Sequence, residues 1–392
     1  MDVKENVKKF APHAIELRRQ IHRNPELGWH EFKTTELIKQ ELASYGIEIQ
    51  ELPGLATGVT AVIRGGKKSD KTVGLREDID GLPMTEETGL PFASTCGRQH
   101  ACGHDIHTTA LLLAARVLQE MRAELAGNVR LIFQPAEEVM DGARKMIATG
   151  FMNFEPKCNT VVGFHCSPEW DGGTIGLIKG PGNASTDGIN ITVKGKGGHG
   201  AHPYRCVDPV VTACYMVTQL QTLLSRENPA VQPAVLTFGK INGGTAMNII
   251  PDEVRLEGTL RTFNEEGRHK LWDGIKRVAD YSCKAMRAEA EVEIIEGVSC
   301  LYNDEKIIDD LRVAAKETIG AQNINIIPTP SPGSDDMALF GEIQPIAQFR
   351  VGTGNDNPNS RIGLHSTKNI FDEKAISVGA TVMAQYALNF LK

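Results

Sequence analysis

The chain has 392 residues, of which 41% are hydrophobic, and a formal net charge of -7. It is longer than one hydrophobic core usually supports, so we expect two domains. The acidic balance and the lack of long lysine or arginine runs argue against nucleic acid or an anionic membrane as a partner, and no segment has the roughly 18–20 apolar residues that span a bilayer. The eight scattered cysteines do not form the pattern of a disulfide framework. We predict a cytoplasmic protein whose partner is a small molecule.

The first part of the chain alternates helices and strands. Apolar residues recur at helical spacing in some segments and form short continuous runs in others. This alternation predicts βαβ units and a mainly parallel, buried sheet, in which binding sites lie beyond the carboxyl ends of the strands. The predicted helices lie within 3–46, 107–119 and 141–149, and the predicted strands are 59–63, 72–75, 129–133 and 160–164.

A different order begins at residue 184. Strands and helices there follow the β-α-β-β-α-β pattern of a ferredoxin-like unit of about a hundred residues. The predicted strands are 189–193, 234–238, 254–263 and 291–295, and the predicted helices are 209–225 and 266–288. The first pattern resumes near residue 300, with helices at 305–319 and 372–391 and a strand at 346–351. We therefore predict an α/β protein with a mainly parallel-sheet domain over residues 1–183 and 297–392 and an inserted α+β domain over residues 184–296.

Two short segments carry metal-donor chemistry most clearly. Cys102 and His104 could reach one metal ion, because Gly103 between them permits a tight backbone. Glu137 and Glu138 directly follow a predicted strand. Adjacent side chains in a turning segment point in different directions, so one carboxylate could bind a metal while its neighbour faces a water molecule. Taken singly, each segment could also be an ordinary loop or a solvated helix start.

Two isolated histidines complete the pattern. His165 lies at the end of an apolar strand, and His365 lies between a glycine-rich stretch and the last helix. Thiolate and imidazole ligands with one carboxylate suit zinc, manganese, cobalt or nickel better than calcium or magnesium. Five donors are more than a single catalytic metal usually takes, which favours a pair of ions. Glu137 would then take a proton from the attacking water and transfer it to a leaving nitrogen.

Seven motifs follow one another along almost the whole chain. They are residues 18–27 with a Pro-Glu-Leu turn, 75–83, 100–107, 134–138, 197–203, 244–251 and 333–336. In this order they resemble the M20 family of metallopeptidases and aminoacylases. The resemblance is to the branch of that family which contains hippurate hydrolase, N-acyl-amino-acid amidohydrolases and auxin-conjugate hydrolases.

The resemblance implies a role for particular residues. It implies metal ligands at Cys102, His104, Glu138, His165 and His365, with Glu137 as the general base. It also implies that the inserted domain is a dimerisation domain, from which His199 reaches the partner's active site to stabilise the tetrahedral oxyanion. Asn248 and Arg261 would hold the substrate's carboxylate, and Asp80 would orient the metal ligands.

The sequence also departs from the branch. Glu77 and Gly81 stand where alanine is usual, and the run from His165 to Pro168 replaces a histidine followed by an apolar residue. No predicted ligand is lost. Both stretches flank the site, so they bear on the shape of the substrate pocket.

The predicted activity is hydrolysis of N-acyl-L-amino acids of the hippurate or N-acetyl type, with two Mn²⁺ or Zn²⁺ ions per subunit and Co²⁺ or Ni²⁺ as alternatives. The predicted assembly is a homodimer, with a tetramer as a further option. A dipeptidase, or a hydrolase of aminobenzoyl-glutamate or indoleacetyl conjugates, is the alternative within the same chemistry. A redox or metal-storage protein, or a noncatalytic binding relative, is the alternative outside it. The retained ligands and the second carboxylate, Glu137, argue against both.

Overall fold

A computed structural model describes residues 2–392 of the chain. They form two compact units: the residues up to Gly182 with Tyr302–Thr329 and Asp336–Lys392, and the residues Asn183–Leu301 with Pro330–Asp335. The predicted divisions lay after residues 183 and 296. The second division falls later because the last strand of the inserted unit runs to Val298.

Helices and strands occupy most of the described residues. The α-helices are α1 (Val3–Arg23), α2 (Phe32–Ser44), α3 (His104–Glu120), α4 (Gly142–Ala148), α5 (Pro209–Thr222), α6 (Glu265–Ala285), α7 (Glu305–Thr318) and α8 (Lys374–Phe390). The strands are β1 (Glu48–Gln50), β2 (Val59–Arg64), β3 (Lys67–Asp78), β4 (Ala126–Gln134), β5 (Thr160–Asp171), β6 (Ile175–Leu177), β7 (Gly180–Asn183), β8 (Thr186–Lys194), β9 (Gly198–His199), β10 (Ala234–Gly243), β11 (Ile249–Ile250), β12 (Glu253–Thr262), β13 (Glu289–Val298), β14 (Leu301–Asn303), β15 (Ile324–Ile326) and β16 (Ile346–Gly354). Among residues 2–392, no helix is both long and apolar enough to cross a membrane.

The sheet of the first unit has the strand order β1-β2-β4-β3-β5-β16-β6-β15. Its central strands β4, β3, β5 and β16 run parallel, and antiparallel pairs occur at β1 with β2, β2 with β4 and β16 with β6. This confirms the predicted α/β class with a mainly parallel sheet. The parallel strands bring their carboxyl ends to one edge, where chain segments after β3 and β4 meet.

Helix α3 begins with His104, a predicted metal ligand, and lies in the core of the first unit. Its segment from Ala110 to Val117 is apolar on most sides, and α3 is buried along nearly its whole length. A helix that is hydrophobic all round belongs in a protein interior. Helices α1 and α8 pack against it. His104, the first residue of α3, is therefore attached to one of the most firmly packed elements of the unit.

Strand β5 is longer than predicted, and this corrects the position of His165. The strand was predicted to end at residue 164, directly before His165, but β5 continues to Asp171. The reason is its neighbour: residues 165–167 of β5 pair in parallel with residues 350–352 of β16. His165 therefore projects from the middle of a paired strand and not from a loop.

The second unit has the predicted ferredoxin-like order β8-α5-β10-β12-α6-β13. Its antiparallel sheet has the strand order β10-β12-β8-β13, and every second residue of β8 is buried. The buried residues of the sheet pack with α5 and α6 in a separate apolar core. A buried ion pair ties α6 to β8, because Arg268 donates from Nε and Nη2 to Asp187 at 3.0 and 2.7 Å. Beside the sheet, β9 and β11 form a short ribbon in which His199 lies opposite Ile249.

Candidate metal centre

The structure brings together the five predicted ligands and Glu137 within the first unit. Cys102 lies in the loop before α3, and His365 in the segment before α8. Glu137 and Glu138 lie in the turn after β4, as predicted. The side chains form overlapping groups whose donor atoms lie within 4.8 Å of one another: Cys102 with His104 and His165, Cys102 with Glu138 and His365, and His104 with Glu137 and Glu138.

Individual distances show how compact the cluster is. The sulfur of Cys102 lies 3.4 Å from His165 Nε2, and His365 Nε2 lies 3.4 Å from Glu138 Oε2. His104 Nε2 lies 3.9 Å from both Glu137 Oε2 and Glu138 Oε1. Cys102 belongs to two of the three donor groups, one with His104 and His165 and one with Glu138 and His365. The cluster therefore has donors for two adjacent cations.

Two buried atoms in this cluster indicate that a cation fits. His104 Nε2 and Glu138 Oε1 are buried and have no hydrogen-bond partner among residues 2–392. A buried polar atom without a partner costs about 1–3 kcal/mol, so native proteins rarely leave one unexplained. A divalent ion between these atoms would satisfy both. The thiolate, imidazole and carboxylate donors are also of the types that bind zinc and manganese.

Asp80 makes the contacts that the predicted orienting role requires. His104 Nδ1 lies 2.9 Å from the carbonyl oxygen of Asp80 and 3.2 Å from its Oδ1. A proton on Nδ1 leaves Nε2 as the metal donor. The other carboxylate oxygen of Asp80 accepts the backbone N–H of Glu138 at 3.0 Å. One side chain therefore orients two predicted ligands on different elements.

Metal binding should be coupled to the loss of a proton from the Cys102 thiol. Burial, and then the nearby Glu138 carboxylate, raise the pKa of the Cys102 thiol well above its usual value. The thiol therefore holds its proton at neutral pH until a cation displaces it. We expect Zn²⁺ binding at pH 7 to release at least about one proton per chain and to weaken as the pH falls.

Calorimetric titration with Zn²⁺ in buffers of different ionisation enthalpy measures this release. The Cys102→Ser variant is the control, because a serine hydroxyl does not ionise in this range and fewer protons should appear. A binding enthalpy that is the same in all buffers would contradict the participation of the thiol.

A buried pair beside the cluster, Asp78 and His107, was given no role from the sequence. His107 Nδ1 donates to Asp78 Oδ1 at 2.6 Å, and His107 Nε2 accepts the backbone N–H of Cys166 at 3.0 Å. Burial disfavours the Asp78 anion, but His104, Arg76 and His107 outweigh it and hold the pKa of Asp78 well below its usual range. Asp78 is thus a fixed negative charge whose Oδ1 lies 3.6 Å from His104 Nε2. The only sequence signal was a histidine three residues after His104.

A second missed cluster attaches α1 to the start of α3. Arg18 Nε donates to Asp105 Oδ2 at 2.6 Å, and His22 Nδ1 lies 2.8 Å from the same oxygen. The other ring nitrogen of His22 lies 3.0 Å from Glu86 Oε1. All four side chains are buried. Since Asp105 follows His104, this network holds the first turn of α3, and it explains why charged residues occur in the motif at residues 18–27.

The remaining predicted residues lie in the second unit. His199 on β9 is exposed, and its Nδ1 accepts the backbone N–H of Ala201 at 3.1 Å, which leaves Nε2 as the ring nitrogen that can donate to another group. Asn248 is exposed next to it, and its carbonyl accepts the N–H of Gly200 at 2.8 Å. Arg261 in β12 is half-buried and donates to Ser334 Oγ at 2.5 Å. Their roles in substrate binding and catalysis stay predictions.

Comparisons with known proteins agree over nearly the full length. The chain is 37% identical over 386 residues to N-acetylcysteine deacetylase of Bacillus subtilis, covering 98% of both chains, and 36% identical over 378 residues to hippurate hydrolase of Campylobacter jejuni, covering 96% of both. Its structure matches that of the YXEP protein of Bacillus subtilis, a dinuclear metal-binding peptidase of the M20 family. That match has a TM-score of 0.86 and 34% identity, and covers 98% of this chain and 99% of the other.

Fold, donor cluster and relatives together define the class of this protein as a metal-dependent amidohydrolase. The chain belongs to peptidase family M20/M25/M40, whose model matches residues 74–389. The predicted family and enzyme class are confirmed. The overlapping donor groups and the dinuclear relative also support two metal ions per chain.

Proposed function

We propose that the protein hydrolyses the amide bond of N-acyl-L-amino acids and releases a carboxylic acid and a free amino acid. The observation that carries this proposal is Glu137, a carboxylate at the edge of a cluster that already contains five other metal donors. The relatives named for deacetylation of N-acetylcysteine and hydrolysis of hippurate support the same substrate class. Both substrates are amino acids with an acylated nitrogen.

The proposed mechanism assigns a task to each side chain. Cys102, His104, Glu138, His165 and His365 would hold two divalent ions, for which we propose Mn²⁺ or Zn²⁺, with Co²⁺ or Ni²⁺ as alternatives. When bound, the ions supply Lewis acidity to the amide carbonyl and to the attacking water. Glu137 accepts a proton from that water and delivers it to the leaving nitrogen. Asp80 keeps His104 and Glu138 oriented during the reaction.

The second unit would supply the rest of the site from a partner chain. His199 would donate from Nε2 to the oxyanion, and Asn248 and Arg261 would hold the substrate's carboxylate. A homodimer is supported by the edge strand β10 of its sheet, where Val235 and Ile241 are exposed, and by the exposed Val211 and Tyr215 on α5. Unpaired strand edges with exposed apolar side chains commonly pair with a second copy. A tetramer and the cytoplasmic location stay predictions.

A substrate panel tests the proposed function. N-acetyl-L-cysteine, other N-acetyl-L-amino acids and hippurate should have kcat/KM values at least about tenfold above those of dipeptides, aminobenzoyl-glutamate and indoleacetyl-amino acids. A chelator should abolish turnover, and Mn²⁺ or Zn²⁺ should restore it. A preference for dipeptides would replace the proposal by the dipeptidase alternative. Turnover that survives complete metal removal would contradict the mechanism.

A further inference from the structure

The turn that carries Glu137 and Glu138 begins with a residue in an unfavourable backbone conformation. Ala136 is buried and has a φ of 55°, in the left-handed region. For a residue with a side chain this costs roughly 1–2 kcal/mol, so neighbouring contacts must hold it there. Because Ala136 directly precedes the two glutamates, its backbone angles set the directions in which their carboxylates leave the end of β4.

Glu31 makes the contact that holds this residue. Its Oε1 accepts the backbone N–H of Ala136 at 2.7 Å, across a sequence separation of 105 residues. The carboxylate of Asp80 accepts the N–H of Glu138 on the other side of the turn. The turn is thus held between two buried carboxylates, of which only Asp80 also contacts a predicted metal ligand through its side chain.

A buried glutamate at position 31 is expected to lower the stability of the fold. Its side chain is fully buried; among the described residues its Oε2 has no hydrogen-bond partner, and no lysine, arginine or histidine forms an ion pair with it. Burial, and then the charge of Asp80, raise the pKa of Glu31 to about 7. A buried carboxylate without a cation destabilises a fold, and an apolar residue of similar size would avoid that cost.

Local structure does not account for Glu31 either. It precedes helix α2, but its side chain makes no capping hydrogen bond there. Glu26 caps this helix instead, because its carboxylate accepts the N–H groups of Lys33 and Thr34 at 3.2 and 2.9 Å. Residues that lower stability without a local structural benefit are characteristic of functional sites.

We propose that Glu31 is a positioning residue that acts through the Ala136 N–H to keep Glu137 and Glu138 aimed at the metal centre. Its effect on turnover rests on the proposed function. Its effect on metal binding does not, because Glu138 is displaced with the turn whatever the substrate is. The required property of Glu31 is a hydrogen-bond acceptor at this position and not a negative charge.

Two substitutions separate the acceptor from the charge. Glu31→Leu removes the acceptor and should weaken Mn²⁺ affinity about 10- to 100-fold. It should also lower kcat about 10²-fold on the best panel substrate, with little change in KM. Glu31→Gln keeps an acceptor oxygen, so its Mn²⁺ affinity and kcat should stay within about threefold of the wild type. Calorimetric Mn²⁺ titration and steady-state kinetics measure both, and circular dichroism checks the fold.

A third variant tests the route through Ala136. Glycine adopts positive φ without side-chain strain, so the double variant E31L/A136G should recover part of the Mn²⁺ affinity and kcat that E31L loses, although the N–H of residue 136 still lacks an acceptor. The single variant Ala136→Gly is the matched control and should resemble the wild type. If E31L does not fold, E31Q and E31L/A136G decide the question by the same Mn²⁺ titration.

Three results would overturn the proposal: an E31L protein with wild-type Mn²⁺ affinity and kcat, an E31Q protein as impaired as E31L, or no recovery in E31L/A136G. If the wild type hydrolyses no substrate of the panel, the proposed function fails. The order of the Mn²⁺ affinities would still decide whether Glu31 positions the turn.

Discussion

Replacing Glu137 by glutamine is expected to lower kcat by about 10²- to 10⁴-fold, the usual contribution of a positioned acid or base. The metal content should remain that of the wild type, because the five other donors of the cluster are retained. Glutamine keeps the volume of the side chain but cannot accept the proton of the attacking water. Steady-state kinetics on the best panel substrate and elemental analysis of the purified variant measure the two quantities.

Two further variants distinguish the loss of a base from the loss of a metal ligand. Glu138→Gln removes a predicted ligand and should lower both the metal content and kcat, unlike Glu137→Gln. Glu124→Gln changes an exposed glutamate of the same unit and should have no effect on either. Wild-type turnover by the Glu137 variant would exclude its role as the base, and loss of metal with activity would make it a ligand instead. A metal-storage protein would bind its ions equally well and have no turnover to lose.

Mixing two inactive variants is expected to restore activity if His199 acts across a dimer. Alone, His199→Ala should lower kcat about 10²- to 10³-fold, the usual cost of removing an oxyanion donor. It should keep its metals, because His199 lies in the second unit and outside the donor cluster. Its ring is exposed and its Nδ1 is already used as an acceptor, so Nε2 suits a donor that serves another chain. A monomeric variant should likewise keep its metals and lose its activity.

The second parent of the mixture is Glu137→Gln. In a heterodimer of the two variants, one site lacks both residues and the other has both, so statistical exchange should restore roughly a quarter of wild-type activity. The matched control is a mixture of Glu137→Gln with Glu138→Gln, in which each site of the heterodimer keeps a lesion and no activity should return. Size-exclusion chromatography of differently tagged chains confirms exchange. If exchanged dimers are no more active than their parents, His199 does not act in trans.

Much of the fold could be predicted because each element has a local signature. Helix α3 is apolar on most sides, β8 alternates buried and half-buried residues, and Pro25 follows Asn24, the residue that caps the end of α1. Patterns of this kind depend only on neighbours within a few residues. The true end of β5 was not predictable in this way. Residues 165–171 have no strand pattern of their own; they extend β5 because residues 165–167 and Asp171 pair with β16.

The residues of the site also divide into those that could be predicted from the sequence and those that could not. Cys102, His104, Glu137 and Glu138 could be selected from sequence because donor-type side chains occur close together there and after a predicted strand. His165 and His365 required the family resemblance, since an isolated histidine has no local signal of metal binding. Asp78 and His107 lie inside two of the motifs but were given no role, and Glu31 was not singled out. Each contacts a residue distant in the chain, and the sequence around it does not indicate which residue that is.

The sequence by itself determined which side chains could bind metal, which carboxylate could act as a base, and which segments become helices or strands. These properties follow from side-chain chemistry and from short-range periodicity. Only the tertiary structure decided that five donors from separate segments share one centre, that Asp78 lies beside His104, and that Glu31 holds the turn before Glu137. The physical reason is that such contacts depend on strand register and helix packing, which bring together residues from distant parts of the chain.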